Sequence, residues 1–305
     1  MRILIAGASG LLGSAFAKAA QRRKHETIGL VGNYSHRIEG LDQQKQIDLH
    51  DIASLEKLVL ETFPDAIVNC AAYANPSDCE TDPDKTAEIN VAVPEKLALL
   101  ARHLFARYLH ISSDQVFDGT DAPYTVSAMP NPPNQYARQK LESEKRVLEM
   151  APEFASVIRI PLLNGNSPRC TRSIHENLFE AWSQGERPSL FVDEYRQPCL
   201  TDNLAETMVE LCERSDSRGL LHWAGQDRLS RYEIGRRILE HFGLPPDFIR
   251  EARRGDDPKF AHRQGDLSLD LQPLAGILKT RPQAFAEQLD ALIVPQSYRA
   301  WYNAI

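Results

Sequence analysis

In the first half of the chain, short apolar runs rich in β-branched residues alternate with stretches whose apolar positions recur every three or four residues. That alternation predicts a parallel sheet joined by crossover helices. Strands are expected at 3–6, 27–31, 46–49, 66–70, 108–112 and 156–160. Helices are expected at 11–22, 52–62, 84–103 (with Pro94 inside it) and 136–150. After Pro161 the texture changes. A loop at 164–168 leads to a helix at 174–184, a strand at 190–192, a helix at 200–214, a strand at 220–224 and a helix at 231–242 that Gly243 and Pro245 end. The fold class is therefore α/β: a Rossmann-type, doubly wound parallel sheet with a smaller C-terminal α/β lobe. Residues 1–165 form the first unit, 198–225 are expected to return to it, and 166–305 mainly build the second lobe.

Composition narrows the function classes. The chain has 305 residues, 42% hydrophobic and 25% charged, with a net charge of −7, the profile of an ordinary globular protein. An acidic balance argues against a broad nucleic-acid footprint, and the clusters Arg22-Arg23-Lys24 and Arg253-Arg254 read as solvated surface. No apolar run approaches the roughly 20 residues that span a bilayer. The apolar start, residues 1–6, is too short for a signal peptide and runs straight into a glycine turn. The five cysteines lack pairing or metal-type spacing, so reduced thiols in a cytoplasmic protein are the expectation. His110, His175, His222, His241 and His262 show no metal-ligand spacing, and Asp193-Glu194 reads as an acidic turn rather than a cation site. No metal is expected.

The sharpest motif is Gly7-Ala8-Ser9-Gly10-Leu11-Leu12-Gly13, three glycines at i, i+3 and i+6 between a strand and a helix. One glycine reverses the chain, one lets backbone approach a pyrophosphate, and one allows close helix–strand packing. The helix N-terminus then favours phosphate. Gly7, Ser9, Gly10, Leu11, Leu12 and Gly13 are thus expected at a dinucleotide. The loop 31–37 holds no carboxylate for a ribose 2′-hydroxyl, and Ser35, His36 and Arg37 are placed to meet a 2′-phosphate. NADP(H) is favoured, with NAD(H) the alternative.

A second motif sits on the fourth helix. Tyr136 and Lys140, at i and i+4, share one helix face. A lysine cation there is expected to lower the phenol's pKa toward the working range, so that the phenol donates a proton to a carbonyl oxygen. Ser112 and Ser113, at a strand end, offer two hydroxyls, either of which can hydrogen-bond that carbonyl and polarise it.

The stretch 111–119 (ISSDQVFDG), Pro123-Tyr124 and 130–136 (PNPPNQY) resembles the extended short-chain dehydrogenases, and within them the dTDP-4-dehydrorhamnose reductase family. Further likeness lies at Asn69-Cys70-Ala71-Ala72-Tyr73, at 88–91 (EINV), at 192–195 (VDEY), and at Pro198 and Thr201-Asp202. The resemblance implies Ser113, Tyr136 and Lys140 as catalytic residues. It places Asp48 and Leu49 near adenine, and Ala71, Ala72 and Tyr73 along the ribose and nicotinamide. Asn90 supports the nicotinamide neighbourhood, and Ser112, Tyr136 and Lys140 also count among the cofactor contacts. Arg159 and Pro161 fall where the Rossmann strand passes into the substrate lobe. Four positions depart from the pattern: Leu162 stands for a tryptophan, Ala137 for a glycine, Gln139 for a serine and Gln115 for a tyrosine.

The resemblance implies an NADPH-dependent reductase of a keto group on a nucleotide-activated sugar, with a homodimer possible. One alternative is a non-catalytic NADP-binding regulatory subunit, like the β subunit of methionine adenosyltransferase, that serves a partner enzyme. Another is a nucleotide-sugar epimerase or dehydratase.

Overall fold

The computed structural model describes residues 1–214, 216–260 and 263–305; His262 lies outside the described residues. Seven strands form one sheet: β1 (Arg2–Ala6), β2 (Glu26–Val31), β3 (Gln43–Gln46), β4 (Ala66–Asn69), β5 (Arg107–Ser113), β6 (Ala155–Ile160) and β7 (Gly219–His222). Their order is β3-β2-β1-β4-β5-β6-β7, and every neighbouring pair is parallel. The order reverses between β1 and β4, so the connections leaving these two strands diverge and open a crevice at their carboxyl ends.

Burial on both faces explains the continuous apolar runs. Ile3, Leu4, Ile5 and Ala6 of β1 are all fully buried. On one face the sheet meets α1 (Leu11–Arg22) through Phe16. On the other it meets α2 (Ile52–Thr62) through Leu55 and Val59, α3 (Val93–Leu104) through Leu97, and α4 (Gln135–Met150) through Val147. The second lobe is built on α5 (Ile174–Ser183), and α6 (Thr201–Glu213) returns to the sheet, packing Leu204 and Met208 beside Phe16. Strand β7 then adds beside β6, with Leu220 opposite Val157. Leu178, Phe179 and Trp182 of α5, Ile234 and Ile238 of α7 (Arg231–His241), and the late Phe285 make a separate core for the lobe. Among the described residues no helix is long and apolar enough to cross a membrane.

Three expectations need correction. The third strand is not 46–49 but the polar Gln43–Gln46, whose backbone pairs with β2 while its side chains stay largely exposed. Ile47 and Leu49 pack, partly buried, against the core instead. The helix expected at 84–103 is three pieces: Pro83–Ala87, a π-helical turn at Glu88–Ala92, and α3, which carries Pro94 harmlessly in its first turn. The cluster at Arg22-Arg23 is not simply solvated. It forms an ion-pair seam to α6, with Arg22 2.8 Å from Glu206 and Arg23 2.7 Å from Glu213.

Candidate active site

At the carboxyl ends of β1, β4 and β5 lies a cleft of about 1500 Å³, larger than the space a single small ligand needs. Its floor is the glycine loop. Gly7 has φ +76°, and a Cβ there would lie 2.7 Å from the backbone nitrogen of Ala71. A Cβ on Gly13 would lie 2.3 Å from the Gly7 carbonyl oxygen, so this glycine lets α1 close onto the loop. Gly10 differs. A Cβ there would meet only the Gly7 carbonyl, at 3.2 Å, and the residue lines the cleft together with Gly7, Ser9, Leu11 and Leu12. The bare backbone at the start of α1 therefore faces open space of the right size and polarity for a pyrophosphate.

Asp48, Leu49, Ala71, Ala72 and Tyr73 line the same cleft. Asn90 does not; it is fully buried on the π turn. Its side chain accepts from the Tyr73 N–H at 2.9 Å and donates to the Tyr73 carbonyl at 3.1 Å and to Gln139 Oε1 at 2.8 Å. Asn90 therefore shapes the cleft by fixing Tyr73. Gln139 donates to Pro83 O and to Thr86 Oγ1, so the residue standing for the family's serine completes a buried polar network.

Ser35 and Arg37 are exposed and are not brought to the cleft wall, which beyond β2 consists of Gly32 and Asn33. The reason is local. Ile38 is buried in the core, and Gln44 bridges the His36 carbonyl and the Ile38 N–H, turning 35–37 outward. Glu39, the first carboxylate after β2, is held by Lys18 at 2.8 Å, which lowers its pKa.

Tyr136, Lys140 and Ser113 meet at the cleft beyond β5, all buried and all lining it. The net shift of the tyrosine pKa is upward, against the lowering expected from the lysine. Burial raises the Tyr136 pKa, the Ser113 hydroxyl opposes that rise, and the Asp114 charge adds to it. The Lys140 ammonium donates instead to the Ile111 carbonyl at 2.5 Å, and burial brings its own pKa down to about 8 against the opposing charge of Glu144.

The two serines have separated roles. Both line the cleft, but Ser112 donates its hydroxyl to Glu144, whereas Ser113 Oγ lies 3.2 Å from Asp114 Oδ1. Glu144 and Arg159 form a buried bidentate pair at 2.9 and 2.7 Å. Glu144 was legible as the next step of the Tyr136–Lys140 spacing; its engagement with Arg159 was not. Asp193-Glu194 is an arginine hub. Buried Glu194 pairs with Arg196 at 3.1 Å and with Arg263, while Arg196 and Arg231 line the cleft, as do Leu162 and Leu190. Among the described residues no group of three His, Cys, Asp or Glu side chains is placed to hold a metal ion.

Asp114 stands apart. It is 3% exposed, its Oδ2 has no hydrogen-bond partner, and burial pushes its pKa up to about 7 against the pull of Arg196. A native carboxyl with a raised pKa favours folding while protonated, and that contribution is lost as pH rises from about 4 to about 7. The stability of Asp114→Asn relative to the parent is therefore expected to rise by about 2–3 kcal/mol between pH 5 and pH 8. Urea unfolding at both values checks this; a difference that ignores pH would refute it.

A glycine-loop cleft at the sheet's reversal point, with Ser113, Tyr136 and Lys140 converging on it, defines an extended short-chain dehydrogenase/reductase. Comparison with known proteins agrees: residues 1–297 match the RmlD substrate binding domain, and the chain belongs to the dTDP-4-dehydrorhamnose reductase (RmlD-like) family. It is 33% identical over 280 residues to methionine adenosyltransferase 2 subunit beta of Mus musculus, covering 90% of this chain and 81% of that protein. It is 28% identical over 299 residues to a probable low-salt glycan biosynthesis reductase of Haloferax volcanii, covering 96% and 97%. A hypothetical dTDP-4-dehydrorhamnose reductase from Sulfolobus tokodaii superposes with a TM-score of 0.81 at 30% identity, covering 96% of this chain and all of that one. The Bacillus anthracis dTDP-4-dehydrorhamnose reductase, solved in complex with NADP, gives 0.79 at 21% identity, covering 95% and 97%, and so supports the fold.

Proposed function

We propose that this protein is an NADPH-dependent reductase of a keto group on a nucleotide-activated sugar. The observation that carries this reading is the convergence of Tyr136, Lys140 and Ser113 on one wall of a cleft whose floor is the glycine loop. When bound, the nicotinamide supplies hydride to the carbonyl carbon. Tyr136 donates its phenolic proton to the carbonyl oxygen as negative charge develops there. Ser113 hydrogen-bonds the same oxygen, since Ser112 is committed to Glu144. The Lys140 cation, one helical turn away, stabilises the phenolate that proton transfer leaves. Arg196 and Arg231, which line the cleft, suit the diphosphate of a nucleotide sugar.

The cleft's size supports a dinucleotide and a second nucleotide-bearing molecule together. The test is NADPH consumption, followed by fluorescence, with a panel of 4-keto nucleotide sugars; turnover of at least one is expected. A second reading, a regulatory subunit, is favoured by the 33% identity to methionine adenosyltransferase 2 subunit beta and by Leu162 at the tryptophan position. NADPH binding without turnover, together with capture of a methionine adenosyltransferase catalytic subunit, would replace the reductase reading with that one.

A further inference from the structure

The strand β2 ends where the adenosine ribose of a dinucleotide lies in this fold class, yet β2 and the loop after it bring no cation to the cleft wall. Ser35 and Arg37 face outward, and Glu39 is engaged by Lys18. A guanidinium does come to the rim of this place from the other lobe, exposed and just outside the residues that line the cleft. Arg169 Nη2 donates to the Asn33 carbonyl at 3.1 Å, and its guanidinium carbon lies 5.2 Å from the centre of the Tyr34 ring. Asn33 lines the cleft, and so do Thr171 and Arg172 of the segment that carries Arg169.

That segment is anchored at its neck. The buried carboxylate of Glu176 accepts from the Ser167 N–H and hydroxyl, each at 2.7 Å, from the Arg172 N–H at 2.7 Å and from the Ser173 N–H at 3.0 Å. One side chain thus ties both ends of the loop 167–173 and presents Arg169 at its tip, across the cleft from its own lobe.

Arg169 has no carboxylate within ion-pair distance among the described residues. Its hydrogen bond to Asn33 uses one of five N–H donors and holds the group in place, and the Tyr34 ring lies within cation–π range of it. An oriented, uncompensated guanidinium beside the ribose position has the geometry to take a phosphate through paired N–H···O bonds.

We propose that Arg169, reaching over from the second lobe, is the residue that recognises the adenosine 2′-phosphate and so sets the preference for NADP(H) over NAD(H). The proposal rests on the reading of the cleft as a nicotinamide dinucleotide site. It assigns to Arg169 the role that the sequence alone gave to Ser35, His36 and Arg37. It also makes the 2′-phosphate a bridge between the lobes.

Calorimetric titration with 2′,5′-ADP and 5′-AMP isolates the phosphate from the chemistry, and NADPH and NADH repeat the comparison on the whole cofactor. Arg169→Ala is expected to weaken 2′,5′-ADP and NADPH by roughly tenfold or more, the loss of about one charge-assisted pair, while 5′-AMP and NADH change less than about twofold. Arg169→Lys should recover part of the loss, and Arg37→Ala should leave the preference intact. Equal weakening of both nucleotides by Arg169→Ala would reduce the residue to a lobe clasp and overturn the proposal. So would a preference that follows Arg37 instead. A parent chain that binds neither dinucleotide would remove the cleft reading itself, an outcome distinct from a preference that survives the loss of Arg169.

Discussion

Replacing Tyr136 with phenylalanine is expected to lower kcat by about a hundredfold or more, the usual contribution of a placed general acid, with NADPH affinity almost unchanged. The proton matters only as charge develops on the substrate oxygen, so its loss removes transition-state rather than ground-state interaction. Stopped-flow measurement of hydride transfer, beside a binding titration of the cofactor, separates the two quantities. Turnover within about threefold of the parent would show that another group is the acid. The structure also places the alkaline limb of the parent's pH profile. Burial keeps the Tyr136 phenol protonated through the neutral range, so the proton donor is not what fails first. Lys140 loses its charge near pH 8, and with it the stabilisation of the developing phenolate. Reduction should therefore decline as pH rises through about 8, and a flat profile there would remove Lys140 from the mechanism.

Breaking the Glu144–Arg159 pair is expected to have the largest effect on stability. Both side chains are nearly inaccessible, at 3% and 2% exposure, and Arg159 also lies 4.9 Å from the centre of the Phe117 ring. Arg159→Met leaves a carboxylate buried with only the Ser112 hydroxyl to satisfy it. The expected cost is about 3–5 kcal/mol, typical of stranding one buried charge. Removing both partners, as Glu144→Leu with Arg159→Met, should cost less than the sum of the single changes, because neither member of the pair is left buried without the other. Chemical denaturation of the four proteins gives the coupling directly; strict additivity would show that the two groups do not depend on one another. There is a catalytic readout as well. Glu144 raises the Lys140 pKa from one turn away, so Glu144→Gln should move the alkaline limb to lower pH.

What was legible in the sequence was local. The glycine loop, the first helix and the Tyr136–Lys140 spacing each depend on residues within one turn or one element, and the structure places them together as that spacing implies. The partners that complete the site come from distant segments. Arg159 of β6 meets Glu144 because α4 packs over β6, and Arg196, Arg231 and Arg169 arrive from the second lobe. Periodicity carries no information about such encounters. It gave the extent of the helical run at 84–103 but not the π turn within it, since a π turn changes the phase of a helix without changing its apolar content. The Tyr136 pKa was misjudged for a related reason: spacing reports a neighbouring cation, while the depth of burial that outweighs it is a property of the whole fold.

The polar edge strand β3 has a consequence for how the molecule behaves in company. An outermost strand exposes a row of unpaired backbone groups, a template on which another chain can grow. Here that border is Gln43-Gln44-Lys45-Gln46, four residues long and without an apolar side chain. A strand from a second molecule would find backbone partners there but no greasy surface to cover, and it would have to approach a lysine. The scarcity of apolar residues that hides β3 from hydropathy also makes it a poor seed for sheet-to-sheet aggregation. Replacing these residues with valine or isoleucine would make the strand easier to recognise in the sequence and the protein harder to keep in solution.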